Sequence, residues 1–140
     1  MRVKDLLGEI KVKEIINTGL PTLDPCMTII DALKDQFFQT EYGALPVTSG
    51  SKVLGLITLS NVKRLPRSQW NTIKVSEVMD RVSKNNSLNL EDKAVVALTK
   101  MIKTHLDLLP VVEDSKLMGI VTQDGLLRLI DHMKEGDSSY

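Results

Sequence analysis

Residues 108–125 read LLPVVEDSKLMGIVTQDG, and residues 44–61 read ALPVTSGSKVLGLITLSN, the same phrase 64 positions earlier. Aligning Pro46 with Pro110 also aligns Gly55 with Gly119 and Thr58 with Thr122. Upstream, VKEII at 12–16 matches VSEVM at 75–79 with a shift of 63, so the copies differ by a one-residue gap. The gap falls between Ala32-Leu33 and Ala44, against Ala97-Leu98 and Leu108, at a helix-to-strand joint where insertion is best tolerated. A repeat of about half the chain sets the architecture before any single residue is weighed.

Each copy has the same grammar. Residues 28–40 carry Ile29, Ile30, Leu33, Phe37 and Phe38 at helical spacing, and Thr28 with Asp31 fits a helix-opening cap. Ala94, Val95, Leu98, Met101 and Ile102 repeat the stripe. The period then falls to two: Leu45 to Val47 and Val53 to Ile57 flank Ser49-Gly50-Ser51, as Leu109 to Val112 and Leu117 to Val121 flank Glu113-Asp114-Ser115. These spacings predict two hairpins, each followed by a helix, over 61–65 and 125–133. The unit is strand, helix, strand, strand, helix. A single unit of about 60 residues leaves one sheet face bare and is marginal alone. The expected fold is therefore α+β, with two repeats packed sheet to sheet about a pseudo-two-fold axis. Expected boundaries are 1–70 for the first repeat with its lead-in and linker, 71–134 for the second, and 135–140 for a flexible tail.

Bulk composition narrows the function classes. Eighteen Lys and Arg balance eighteen Asp and Glu, so no global basic field exists to hold nucleic acid or an anionic membrane. The single cysteine, Cys26, excludes an internal disulfide framework. The opening MRVKDLLGEIKVKE lacks an apolar run for a signal peptide or spanning helix, which points to the cytoplasm or the cytosolic face of a membrane protein. His105 and His132 are too few for a zinc site. No His-Glu-x-x-His, Gly-x-Ser-x-Gly or P-loop is present, and nothing recommends an enzyme. Cys26, just before a helix, is expected to be a buried structural thiol, His105 an ordinary half-buried histidine, and Trp70 an anchor for the linker.

Val-x-Glu-(Ile/Val)-(Ile/Met), the Leu-Pro-Val strand and Gly-(Leu/Ile)-(Ile/Val)-Thr before a helix, in order in both halves, resemble a cystathionine-beta-synthase (CBS) domain, and the tandem resembles a CBS pair, or Bateman module. The likeness spans about residues 12–134. LITLSNVKRLPRSQWNTIKVSEVM, with Leu65-Pro66-Arg67 running to Trp70, is similar to the CBS pairs appended to site-two-type intramembrane zinc metalloproteases.

That resemblance implies regulation: AMP, ADP, ATP or S-adenosylmethionine binding in clefts between the repeats and biasing an attached or partner protein, with no cofactor required. The nucleotide-binding residues it implies are Pro46, Gly55, Thr58 and Asn61 in the first repeat and Pro110, Gly119, Thr122 and Asp124 in the second. Lys63, Arg64, Arg67 and His105 are candidate phosphate contacts, against the alternative of a solvated basic face. The glycines likewise admit two readings, close approach of a ligand or a fitting at a strand, and Ser60 and Asp124 can be plain helix caps. In nucleotide-binding members an aspartate three positions after the threonine accepts the ribose hydroxyls; here those positions are Asn61 and Gly125. Asparagine loses charge assistance, and each 1.4 kcal/mol so lost weakens binding about tenfold. Asp124 lies one position early. The resemblance also implies a homodimer through the CBS helices and a possible membrane metalloprotease partner, without nucleic acid or direct membrane insertion. A non-sensing dimerisation module with degenerate sites is the alternative.

Overall fold

The computed structural model describes residue 5 and residues 7–35 and 41–137. Phe37 and Phe38 of the first apolar stripe, and residues 138–140 of the expected tail, lie outside them.

The first repeat contributes helix α1 (Ile29–Asp35), strands β1 (Ala44–Ser49) and β2 (Lys52–Thr58) and helix α2 (Leu59–Lys63). The second opens with the short helix α3 (Val75–Val78) and strand β3 (Asp80–Arg81). It continues through helix α4 (Ala94–Thr104), strands β4 (Leu108–Glu113) and β5 (Lys116–Thr122) and helix α5 (Gln123–Asp137). The first hairpin turns at Gly50, with φ of 61°, and the second at Asp114 and Ser115, both at positive φ, as a two-residue hairpin loop requires. Both carry a bulge at the same place, after Val47 and after Val111. No helix among the described residues is long and apolar enough to cross a membrane.

Alternation along the strands decides what faces what. Leu45, Val47 and Ile57 pack with Ile29, Ala32 and Leu33 in one core, and Leu109, Val111 and Val121 with Ala94, Ala97 and Met101 in another. The opposite faces, Ala44 and Leu56 from one hairpin and Leu108 and Ile120 from the other, meet in a third cluster between the repeats. Here is the apolar face that one repeat alone would expose. The hairpins also join at their turns, where Lys52 pairs with Lys116 and the sheet order becomes β1-β2-β5-β4.

The two lead-in segments change sides. VKEII forms a helical turn at Val12–Glu14, and Leu7 and Val12 are buried in the core of the second repeat. Val75, its counterpart, is buried in the core of the first. Asn17 bridges to Ile120 of β5, and Asp80-Arg81 pairs with Gly55 and Leu56 of β2. Each repeat's remaining strand is reduced to one parallel bridge, Leu23 to Val47 and Leu88 to Val111. The offset between equivalent residues is 63 at Asn17 and Asp80, 65 at Leu23 and Leu88, and 64 in the hairpins, so the copies differ at two joints rather than one.

Four local expectations are corrected. Helix α2 starts at Leu59 rather than Asn61, because Thr58 is its cap, and α5 runs from Gln123 to Asp137, beyond Met133. Cys26 is exposed, since it sits in the Asp24-Pro25-Cys26 turn with its N–H donating to Asp24 Oδ1 at 2.7 Å. His105 is exposed as well, ending α4 in the left-handed conformation with φ of 58°. Trp70 packs on the first core as an anchor, with the Arg67 guanidinium 5.6 Å from its ring centre.

Candidate functional site

Every element that reaches the boundary between the repeats above α2 does so for a local reason. Thr58 ends β2 in an extended conformation, and its Oγ1 accepts the Asn61 N–H at 3.0 Å, which caps α2. The cap fixes Asn61 on the first turn, where it is buried. From the other repeat, the left-handed turn at His105 swings the chain from α4 into β4 and carries Leu106 and Asp107 to the same place. Between them lies a cleft of about 480 Å3, lined by Thr58, Asn61, Arg64, Asp80, His105 and Asp107 among others. That volume falls in the range of small-molecule sites.

Asn61 is held on three sides. Its backbone N–H goes to Thr58, and its Nδ2 donates to the Val78 carbonyl at 3.1 Å and to Asp80 Oδ2 at 3.3 Å. Asp107 Oδ2 accepts the Gly43 N–H at 2.9 Å, while its Oδ1 is buried without a partner. The cleft therefore offers an exposed carboxylate at Asp80 and a cation at Arg64, with the Asp107 carboxylate built into its wall.

The second repeat repeats the frame but not the site. Thr122 Oγ1 accepts the Gly125 N–H at 3.0 Å, and Asp124 lines a smaller cavity, about 120 Å3, with Glu41, Tyr42, Asp107 and Gln123. A groove of about 570 Å3 also runs along the outside of α4, lined by Asn85, Val95, Val96, Thr99, Lys100 and Lys103 with Thr104. Its lining comes from the second repeat alone, and the Lys100 ammonium there is committed to the carbonyls of Lys84 and Ser87. The inter-repeat cleft brings more chemistry together.

Of the residues singled out in the sequence, Thr58, Asn61, Arg64 and His105 converge on the first cleft. Lys63 and Arg67 do not line it. Pro46 and Pro110 are buried in their strands, their carbonyls accepting the N–H groups of Leu23 and Leu88. Gly55 and Gly119 are where the exchanged lead-ins press on the hairpins: a Cβ on Gly55 would collide with the Asp80 carbonyl, and one on Gly119 would lie 2.6 Å from Ile16. Threonine, not Ser60 or Asp124, provides the caps. Asp80 and Asp107 were not singled out; the signal for Asp80 was its place after VSEVM, equivalent to Asn17 after VKEII.

Residues 12–68 and 75–132 each match the CBS domain. The chain belongs to the CBS domain family. As a CBS pair it is a regulatory module. A CBS domain-containing protein of unknown function from Bacillus anthracis str. Ames Ancestor is 25% identical, with a TM-score of 0.76 over 92% of this chain and 98% of that one. The CBS domain of the bacterial CNNM/CorC family Mg2+ transporter in complex with ATP is 18% identical, with a TM-score of 0.74 over 91% and 92% of the two chains. An uncharacterised conserved protein from Pyrococcus horikoshii gives a TM-score of 0.76 at 18% identity; it is longer, so that 93% of this chain covers 62% of it. No curated protein matches the chain.

Proposed function

We propose that this CBS pair senses an adenine nucleotide, AMP, ADP or ATP, in the cleft at α2 and so biases an attached or partner protein. The observation that carries the reading is the convergence of Thr58, Asn61 and Arg64 of the first repeat with His105 of the second on one cleft of about 480 Å3. A ligand held by both repeats restrains their relative placement, which is how binding reaches a partner. The relative in complex with ATP has the same fold. The module acts in the cytoplasm or at the cytosolic face of a membrane, and the linker at 65–70 makes a membrane metalloprotease domain the first partner to try.

Thermal unfolding across concentration series of AMP, ADP, ATP and S-adenosylmethionine tests the reading. A nucleotide at 100 times its dissociation constant adds about 2.7 kcal/mol, several degrees in a domain of this size. The expected result is a saturating rise with one adenine nucleotide, lost in Asn61→Ala. A cooperative unfolding unmoved by all four ligands overturns it.

A second reading, a homodimer through the helices, is favoured by Ile102 on α4 and Leu127 on α5, which are 66% and 49% exposed. It predicts a concentration-dependent dimer by analytical ultracentrifugation, indifferent to nucleotide and broken by Ile102→Glu. A monomer at all concentrations removes it.

A further inference from the structure

Asparagine at 61 looks like a lost charge until its neighbour is included. Both protons of a side-chain amide are in use there, one on the Val78 carbonyl and one on Asp80 Oδ2. An aspartate at this position would have no proton to donate and would set a second carboxylate against Asp80, an arrangement in which two like charges cannot both ionise freely. Asparagine is thus the side chain that fits beside Asp80, and the negative charge of this wall stands on the crossing strand β3 instead of on α2.

Asp80 is placed as rigidly as a residue on a short strand can be. It pairs with Leu56, its carbonyl sits where a Cβ of Gly55 would be, and its carboxylate takes a hydrogen bond from a buried asparagine. The side chain lines the cleft and is exposed. Neither of the ion pairs that Lys11 and Lys13 make with Glu91 involves Asp80, whose carboxylate takes its side-chain hydrogen bond from the neutral Asn61 amide. A fixed carboxylate with free lone pairs matches two adjacent neutral hydroxyls, each an O–H donor. Arg64 on the same cleft matches an anion. A ligand with a vicinal diol and a phosphate satisfies both.

The second repeat lacks the pair. Gly125 stands for Asn61, and Asn17 stands for Asp80, with its Oδ1 already taken by the Gly19 N–H at 2.9 Å. The cavity there is about 120 Å3.

We infer that Asp80, oriented by Asn61, accepts the 2′- and 3′-hydroxyls of a ribonucleotide bound in the first cleft, one per chain. This rests on the nucleotide-sensing reading and names the group that makes the site selective for ribose.

Calorimetric titration of the full chain with ATP, ADP and AMP and with their 2′,3′-dideoxy analogues tests it, beside Asp80→Asn and the exchanged double variant Asn61→Asp/Asp80→Asn. Asp80→Asn keeps the side-chain volume at an exposed position, and its far-UV circular dichroism checks that it folds. The expected result is one ribonucleotide per chain, the dideoxy analogue about tenfold weaker, that difference abolished in Asp80→Asn and recovered in the exchanged variant. Ribonucleotide binding whose preference over the dideoxy analogue survives Asp80→Asn, or two equivalent sites per chain, overturns the inference while leaving nucleotide sensing in place. Absence of any binding to the wild-type chain overturns both.

Discussion

Gly43 and Asp107 occupy equivalent positions in the two repeats, and they are bonded to each other, the Gly43 N–H donating to Asp107 Oδ2 at 2.9 Å. The pseudo-symmetric boundary is thereby broken at its centre. One repeat supplies a bare backbone donor and the other a carboxylate, and that carboxylate lines the first cleft and the smaller second cavity together. Whatever enters the first cleft meets a group shared with the second.

Removing this carboxylate should cost stability, though less than a charged hydrogen bond usually contributes. The bond to Gly43 is worth about 1.5–3 kcal/mol, while the buried, unpartnered Oδ1 subtracts a desolvation penalty of about 1–3 kcal/mol. Asp107→Ala removes both, and because the charged acceptor also orders the chain between α4 and β4, the expected outcome is a net loss of about 1 kcal/mol. The midpoint of thermal unfolding should fall by a few degrees. A rise would show that the unpartnered oxygen costs more than the bond returns.

The exchanged lead-ins make a second, steeper prediction. Gly55→Ala drives a methyl group into the backbone carbonyl of Asp80, where no side chain can swing away, and should destabilise by about 1–3 kcal/mol as the β2–β3 pairing opens. Gly19→Ala, whose added Cβ would meet only Asn17 Oδ1 at 3.5 Å, should stay within about 0.5 kcal/mol of the parent. Chemical denaturation of the two variants side by side separates the effect of the crossing strand from the general effect of replacing a glycine.

That crossing is also where reading the sequence stops. The hairpins, their turns and the helices α1 and α4 were legible because each is local: apolar period, turn residues and caps lie within a dozen positions, and the repeat confirmed each one. The face-to-face packing followed from the bare sheet face of a single repeat. What periodicity does not carry is which repeat a short lead-in segment joins, since Val12 and Val75 are buried equally well on either side. Gly55 and Gly119 consequently admit two readings in sequence, a ligand's close approach or a fitting at a strand, and only the crossing shows what fills the space: the Asp80 carbonyl at Gly55, and Ile16 with the Asn17 carbonyl at Gly119. Asp80 was missed for the same reason, lying 19 residues beyond Asn61 in sequence yet touching it. The exposure of His105 turns on a left-handed backbone at a position where glycine or asparagine is usual, so no residue pattern announced it.

One exposed cluster ties a lead-in to its adopted repeat and gives a pH dependence of known sign. Lys11 and Lys13 contact the two carboxylate oxygens of Glu91 at 2.6 and 2.9 Å, beside the backbone bonds from Val12 to Asp92 and from Ala94 to Ile10. Hydrogen bonds and attraction from the two ammonium groups hold the Glu91 carboxyl down, from 4.5 to about 2, and raise Lys11 in turn. A carboxyl that titrates lower in the folded chain than in the unfolded one favours folding while ionised, so its contribution is complete above pH 4.5 and is lost as the pH falls towards 2. All three side chains are about half exposed or more, which makes the contribution small and open to screening by salt. Glu91→Gln should therefore unfold slightly below the wild-type midpoint at neutral pH and low salt. The gap should narrow as the pH is lowered from 4.5 towards 2, and should close in 1 M sodium chloride, where the screening length is about 3 Å. A gap that persists unchanged at low pH would assign the effect of the substitution to packing of the lead-in rather than to charge.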